Sequence, residues 1–230
     1  MKMAMMADFL MVKKSLGQAV MVGVICGLII GLACGNVNII PAMVMFMVAI
    51  GQYISLVALD ERNGWEAYRS TLPVSRAQII TGRMAFVVLL AVAYLALGLV
   101  VAVAAGLVAP LLTDVFFLAA GDVVLSAEDL AMVAFGSLGV GLALLGVFAP
   151  ILAKYGMTKA TRILPLLFVM IFLLVFVFTG GPEGAVFGGL DAFLSGLPLL
   201  AAGALFLAVG ALFCAVGSVL AVRFYQQREF

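Results

Sequence analysis

Residues 60–83 read DERNGWEAYRSTLPVSRAQIITGR, a polar stretch between two long apolar runs. This stretch contains seven of the charged residues of the chain and its only tryptophan. The whole chain of 230 residues is 67% hydrophobic and 10% charged, with a mean hydropathy of +1.33. A soluble domain of this length could not bury so much apolar surface, so most of the chain must be solvated by a lipid bilayer. The sequence therefore predicts an all-α integral membrane protein in which 60–83 is a structured connection on the water side.

Six apolar runs are each near the ~20 residues that a helix needs to cross a ~30 Å hydrocarbon core. These runs are 17–34, 39–59, 84–109, 131–153, 163–179 and 197–222. We therefore expect residues 1–230 to form a single transmembrane domain with six spans.

The distribution of charge predicts the orientation. If both termini and the connections 60–83 and 154–162 share one side, that side holds all 12 basic residues: Lys2, Lys13, Lys14, Arg62, Arg69, Arg76, Arg83, Lys154, Lys159, Arg162, Arg223 and Arg228. The other side holds only acidic ones: Asp114, Asp122, Glu128, Asp129, Glu183 and Asp191. An excess of Lys and Arg marks the cytoplasmic face. We expect a multi-pass protein of the cell (cytoplasmic, or inner) membrane with both termini in the cytoplasm.

The spans carry no Asp, Glu, Lys or Arg away from their ends. Ion-coupled carriers usually place a charged residue at mid-membrane for the coupling ion, so this class is disfavoured. The phosphate-binding pattern G-x-x-x-x-G-K-[ST] is also missing from the sequence. If the chain transports anything, the energy must come from a separate ATPase subunit.

Enzymatic, metal-binding and nucleic-acid-binding functions find little support. The sequence has no histidine, which removes H-E-x-x-H metalloproteases and Ser–His or Cys–His nucleophilic pairs. The three cysteines, Cys26, Cys34 and Cys214, fit neither a metal site nor a disulfide framework. No basic patch lies on a soluble face, so nucleic acid is not an expected partner. We expect no catalytic, cofactor-binding or metal-binding residues in this chain. Membrane lipid is an expected partner.

Glycines recur regularly in the first and last spans. Small residues on one helical face let backbones approach closely where lipid supplies no hydrophobic drive. The predicted helix-packing residues are Gly23, Gly27, Gly31 and Gly35, four residues apart, and Gly203, Gly210 and Gly217, seven apart. Ordinary packing within the bundle and a seam between subunits or along a translocation path are both open interpretations.

Within 60–83 the sequence predicts two short helices with a break between them. Asn63 can cap a first helix with Glu66 as its partner, and Ser75 can cap a second helix with Gln78. Pro73 ends the first helix, because the residue before proline disfavours helical backbone. The second helix runs directly into the third span.

Trp65, Tyr68 and Leu72 fall on one face of the first of these helices. The aromatic pair can hold a connector in the headgroup region. It can equally insert into the cleft of a partner protein, since aromatics with a polar rim suit a buried interface. Physical reasoning leaves these two interpretations evenly matched.

The stretch Asp60-Glu61-Arg62-Asn63-Gly64-Trp65, then Tyr68 and Leu72-Pro73-Val74-Ser75-Arg76, resembles the signature loop of ABC-2-type transporter permeases. Residues 7–14, ADFLMVKK, are similar to the interfacial helix that precedes the first span in that family. The resemblance implies an interfacial helix over 1–16 and a cytoplasmic coupling helix between spans two and three. It also implies a separate ATPase subunit that binds ATP and Mg²⁺, and a second permease subunit, identical or related.

Carried over by residue, the resemblance divides the loop into two sets. The ATPase-docking candidates are Glu61, Arg62, Trp65, Glu66, Tyr68 and Arg69. The loop-shaping candidates are Asn63, Gly64, Leu72, Pro73 and Ser75. The chain would then be the non-enzymatic permease of an ATP-driven exporter, with a hydrophobic or amphipathic compound or peptide as its cargo.

Two other functions stay open: an ATP-independent membrane binding or immunity protein, and an intramembrane enzyme. Among the other connections, 154–162 is a short basic turn that can add a second ATPase contact. Residues 180–196 are glycine-rich at both ends, and re-entrant helices there are neither predicted nor excluded.

Overall fold

The computed structural model describes residues 2–33, 35–65, 75–108, 125–178 and 198–227, and along 163–178 it describes the backbone. All regular structure in these ranges is helical. The helices are α1 (Lys2–Ala33), a short 3₁₀ helix (Val37–Ile39), α2 (Ile40–Arg62), α3 (Arg76–Val108), α4 (Ala127–Phe178) and α5 (Leu199–Gln226). The predicted all-α class is therefore confirmed for the described residues.

Five helical segments are long and apolar enough to cross a membrane. They are Met5–Ala33, Val37–Arg62, Arg76–Val108, Ala127–Ala160 and Leu200–Gln226, found among the described residues. The predicted span 163–179 falls on the part of α4 whose backbone alone is described, which is helical to Phe178. Six spans stay a prediction.

The helices are longer than the apolar runs that predict them. One continuous helix, α1 (Lys2–Ala33), runs through both the expected interfacial segment 1–16 and the expected first span 17–34. Asp60, Glu61 and Arg62 complete the last turn of α2, and Arg76–Arg83 form the first turns of α3. The polar connection between spans two and three is therefore shorter than 60–83.

Local sequence signals account for several helix ends. Gly35 has a φ of 65° and follows α1, with its N–H bonded to the Leu32 carbonyl and the Asn36 N–H bonded to the Gly31 carbonyl. This pair of bonds is the Schellman motif, which places glycine just beyond a helix. At the start of α4, Ser126 Oγ accepts from the Asp129 N–H at 3.4 Å.

α2 lies at the centre of the bundle and contacts α1, α3 and α4, whereas α5 packs mainly on α4. Fully buried side chains come from all of the first four helices. They include Val12 of α1, Val44, Val48 and Leu56 of α2, Val87 of α3, and Phe148 and Leu152 of α4.

The two ends of the bundle differ in charge. The helices α1 and α3 begin, and α2 and α5 end, at the same end of the bundle. We call this end the basic end. Toward it lie the basic side chains that the structure describes: Lys13, Lys14, Arg62, Arg76, Arg83, Lys154, Lys159, Arg162 and Arg223. Glu128 and Asp129 begin α4 at the opposite end.

α4 breaks at Gly156, whose φ of 68° and ψ of 175° are not helical. That combination is essentially restricted to glycine, because a Cβ clashes with the backbone. The break lies at the basic end and separates the part of α4 in the core from the part that begins at Met157.

We expect Gly156→Ala to lower the free energy of unfolding by about 1–3 kcal/mol, the cost of forcing a non-glycine residue into this region. Thermal unfolding of the purified protein in detergent measures the loss. Gly51→Ala is the matched control, because no atom lies within 4 Å of the position of its added methyl. Equal melting temperatures for the two variants would contradict the strain argument.

Candidate functional site

Three charged residues meet in a buried cluster at the basic end. Arg83 of α3 is 6% exposed, Asp8 of α1 is fully buried, and Asp60 of α2 is 2% exposed. The Arg83 guanidinium donates to Asp60 Oδ2, and its Nη2 lies 3.6 Å from Asp8 Oδ1. The cluster therefore joins α1, α2 and α3 at the level where the chain leaves α2 and re-enters α3.

Glu61, the next residue of α2, faces a different helix. Its carboxylate accepts hydrogen bonds from the Met157 N–H and the Thr158 hydroxyl, and both oxygens lie 3.2 Å from the Thr158 nitrogen. Met157 and Thr158 are the first residues of α4 after its break, where backbone N–H groups have no partner within the helix. Glu61 thus caps the second part of α4 from the end of α2.

The first turn of α3 is fixed from two directions. Ser75 Oγ accepts from the Gln78 N–H at 3.2 Å, and Gln78 Oε1 accepts from the Ser75 N–H at 3.3 Å. Both hydrogen bonds of the predicted capping box are present. Arg76 Nη1 donates to the Gln226 carbonyl at 3.1 Å, which ties the start of α3 to the end of α5.

Lys154 lies beside aromatic rings at the same end. Its Nζ is 5.3 Å from the centroid of the Tyr155 ring and 5.2 Å from that of Phe224. These distances are within the range of cation–π attraction. The contact joins α4 just before its break to the last turns of α5.

The chain leaves α2 through a tight turn. The Asn63 N–H bonds to the Leu59 carbonyl at 3.1 Å, so Asn63 ends α2, and Gly64 follows with a φ of 65°. Trp65 comes next, with 40% of its surface exposed. Glu66, the predicted capping partner of Asn63, lies outside the described residues, as do Tyr68, Arg69, Leu72 and Pro73.

A family model described as ABC-2 family transporter protein matches residues 5–226, nearly the whole chain. The chain belongs to the ABC-2 transporter family. Curated proteins and solved structures give no match. The family and the five long apolar helices together make it a multi-pass membrane protein and a permease component of an ABC transporter.

The structure divides the docking candidates of this ABC-2 permease. Arg62 and Trp65 are exposed at the basic end, where a partner can reach them. The Glu61 carboxylate is engaged within the chain, against α4. Glu66 and the other candidates further along the loop lie outside the described residues.

The glycines of α1 pack within the permease subunit. A Cβ at Gly23 would lie 2.8 Å from Val48 Cγ2, and one at Gly31 would lie 2.6 Å from Ile40 Cγ1. Gly27 faces Val44 and Ile40 in the same way. These three glycines line the contact of α1 with α2, whereas Gly35 forms the turn described above.

The glycines of α5 meet a second glycine set on α4. A Cβ at Gly210 would lie 1.9 Å from the Gly139 carbonyl oxygen, and one at Gly217 would lie 2.0 Å from that of Gly146. Both pairs are seven residues apart and run in the same order along the chain. The first part of α4 and α5 are therefore parallel, in backbone contact over two successive pairs. Gly203 continues the seam against Phe135 and Met132.

Sequence reasoning missed the Arg83 cluster and the role of Glu61 in capping α4. A usable signal existed for the cluster: two acidic residues and one basic residue fall at the same predicted end of three successive helices. No local signal pairs Glu61 with Thr158, which is 97 residues away. In the described part of the chain, no group of three or more His, Cys, Asp and Glu is arranged to hold a metal ion.

Proposed function

We propose that this ABC-2 permease is the membrane subunit of an ATP-driven exporter. Two permease subunits, identical or related, form the translocation path, and separate ATPase subunits bind ATP and Mg²⁺ and dock at the basic end. That end faces the cytoplasm, because Lys and Arg accumulate on the cytoplasmic side of membrane proteins. The supporting family match covers residues 5–226.

One observation carries the ATPase-coupling part of the proposal: both ends of the connection between α2 and α3 are fixed to the bundle. Asp60 is held by Arg83 and Glu61 by α4, whereas Arg76 is held by the end of α5. A connection held in this way transmits a displacement to the helices instead of absorbing it. Trp65 lies within it and is exposed, which suits an aromatic that inserts into a partner.

The parallel packing of α4 on α5 supports six spans. Two parallel helices that both run toward the basic end require the intervening chain to return to the opposite end. The predicted fifth span, 163–179, supplies that return, and it places both termini on the cytoplasmic side with an even number of crossings.

An apolar groove supports hydrophobic or amphipathic cargo. It has a volume of about 430 Å³ and lies between α1 and α3. Val24, Leu28 and Leu32 line it on one side, and Val101, Ala104, Ala105 and Val108 line it on the other. Apolar linings suit apolar ligands, because they offer no compensation for a desolvated charge.

Co-purification tests the proposal. Candidate ABC ATPases from the same organism are expressed with the tagged permease, and the Kd of the pair that forms is measured in detergent. Trp65→Ala and Tyr68→Ala should each weaken binding by about 2 kcal/mol, or thirtyfold in Kd, as truncation of a buried interface aromatic does. Phe135→Ala is the matched control, because Phe135 is similarly exposed at 43% but lies far from the basic end.

Failure of the native permease to bind any ABC ATPase would remove the exporter assignment and favour an ATP-independent binding or immunity protein. Binding that Trp65→Ala, Tyr68→Ala and Phe135→Ala leave equally strong would retain the transporter but move its ATPase contact away from the connection between α2 and α3.

A further inference from the structure

We propose that Glu61 is a positioning residue that passes displacement of the α2–α3 connection to the second part of α4. The inference rests on the proposed function and assigns Glu61 a task within the permease subunit. In this role Glu61 does not contact the ATPase directly. It links the end of α2 to the second part of α4 within the same subunit.

The geometry of the carboxylate supports a rigid link. Glu61 accepts from three donors that belong to two successive residues, Met157 and Thr158. Two of these donors are backbone N–H groups in the first turn of a helical segment, where the helix dipole favours a negative charge. Hydrogen bonds to an ionised acceptor are stronger than those between neutral groups. A movement of the Glu61 backbone therefore displaces the start of this segment.

The break at Gly156 makes such a displacement possible. The preceding part of α4 is held in the core by Phe148 and Leu152, which are at most 1% exposed, and by the glycine seam with α5. The following part begins beyond a glycine with a non-helical φ and ψ. Because the helix is interrupted there, the second part can change direction while the first part keeps its position in the core.

The adjacent residues Asp60 and Glu61, at the end of α2, contact different helices. Asp60 points to Arg83 and fixes the last turn of α2 to α1 and α3. Glu61 points to α4 and lies four residues before the exposed Trp65. A displacement of Trp65 can therefore reach the break in α4 through the backbone between Trp65 and Glu61 and through the Glu61 carboxylate.

Spin-label distances test the link without a transport substrate. Lys13→Cys on α1 and Lys159→Cys on the second part of α4 introduce two labels at exposed positions, in a chain whose native Cys26, Cys34 and Cys214 are replaced. The distance is measured in the permease–ATPase complex with and without Mg-ATP and vanadate. In the otherwise native chain we expect a nucleotide-dependent shift, and in Glu61→Ala we expect that shift to be lost while ATPase binding and ATP hydrolysis continue.

A second variant separates the link from simple helix capping. Glu61→Ala with Thr158→Asp returns a carboxylate to the first turn of the segment, which stabilises the helix but does not join it to α2. It also serves if Glu61→Ala alone does not fold. The proposal expects the nucleotide-dependent shift to stay lost in the double variant. Glu128→Ala, which removes the same side chain from the first turn of α4 at the opposite end, should retain the shift.

Each contrary outcome has a distinct meaning. A permease with native Glu61 that binds no ATPase overturns the proposed function and this inference with it. A complex that forms and shifts equally in the native chain and in Glu61→Ala overturns the inference alone. A shift that returns in the double variant also overturns it, because capping would then be the whole role of Glu61.

Discussion

Replacing Arg83 by alanine is expected to destabilise the permease by about 3–5 kcal/mol, the typical cost of removing one partner of a buried ion pair. The loss is large because Asp60 and Asp8, at most 2% exposed, then share a buried site with no guanidinium between them. Two buried carboxylates that lose this counter-charge repel each other more strongly, and burial denies them the solvation that water would give. α1, α2 and α3 would lose their common contact at the basic end.

Unfolding of the purified variants by SDS in mixed micelles measures this difference. Arg162→Ala is the matched control, because Arg162 is exposed near the same end, and surface substitutions of this kind stay within about 0.5 kcal/mol. A third variant, Arg83→Met with Asp8→Asn and Asp60→Asn, removes all three charges and should recover most of the lost stability. If Arg83→Ala costs no more than Arg162→Ala, the cluster does not hold the helices together.

The features predicted correctly from the sequence are those set by local physics. Apolar runs of span length gave the helices, since a bilayer admits little else in its hydrocarbon core. Ser75 and Gln78 gave the start of α3, because a capping box is closed within four residues. The family followed from the motif around Trp65, and the match over 5–226 confirms it.

Helix ends were harder to predict from the sequence. Hydropathy indicates where the chain leaves the bilayer, whereas a helix ends where its backbone hydrogen bonds end. Asp60, Glu61 and Arg62 are polar, yet they continue α2 until Gly64 adopts a positive φ. Lys13 and Lys14 interrupt the apolar pattern of α1 without interrupting the helix.

Contacts between distant residues could not be predicted from one sequence. Glu61 is a candidate for ATPase docking through the family resemblance alone, and nothing near it in the sequence indicates a partner within the chain. Its donors belong to a glycine break in another helix. For the α4–α5 seam, the sequence analysis predicts packing of Gly203, Gly210 and Gly217 from their spacing, but it does not predict their partners Gly139 and Gly146, which have the same spacing.

At this seam we expect a large effect from a double variant that combines Gly210→Ala with Gly217→Ala. Alanine is favoured over glycine in a helix interior by about 1 kcal/mol per residue, so propensity alone predicts stabilisation. The added methyl groups would lie 1.9 and 2.0 Å from carbonyl oxygens of Gly139 and Gly146, closer than any real Cβ contact. These neighbours are backbone atoms and cannot rotate away, so α5 must move off α4. Overpacking costs about 1–3 kcal/mol at each site, and we expect the sign of the change to be destabilising.

Gly136→Ala gives the matched control, because it adds the same methyl to α4 where no atom lies within 4 Å. Its melting temperature in detergent should equal or exceed that of the native permease, whereas the double variant should melt lower. If the double variant melts like Gly136→Ala, helix propensity outweighs the close backbone contact, and the parallel arrangement of α4 and α5 loses its support. That arrangement is what requires the chain to return across the membrane between α4 and α5. The same result would therefore also weaken the argument for the predicted fifth span, 163–179.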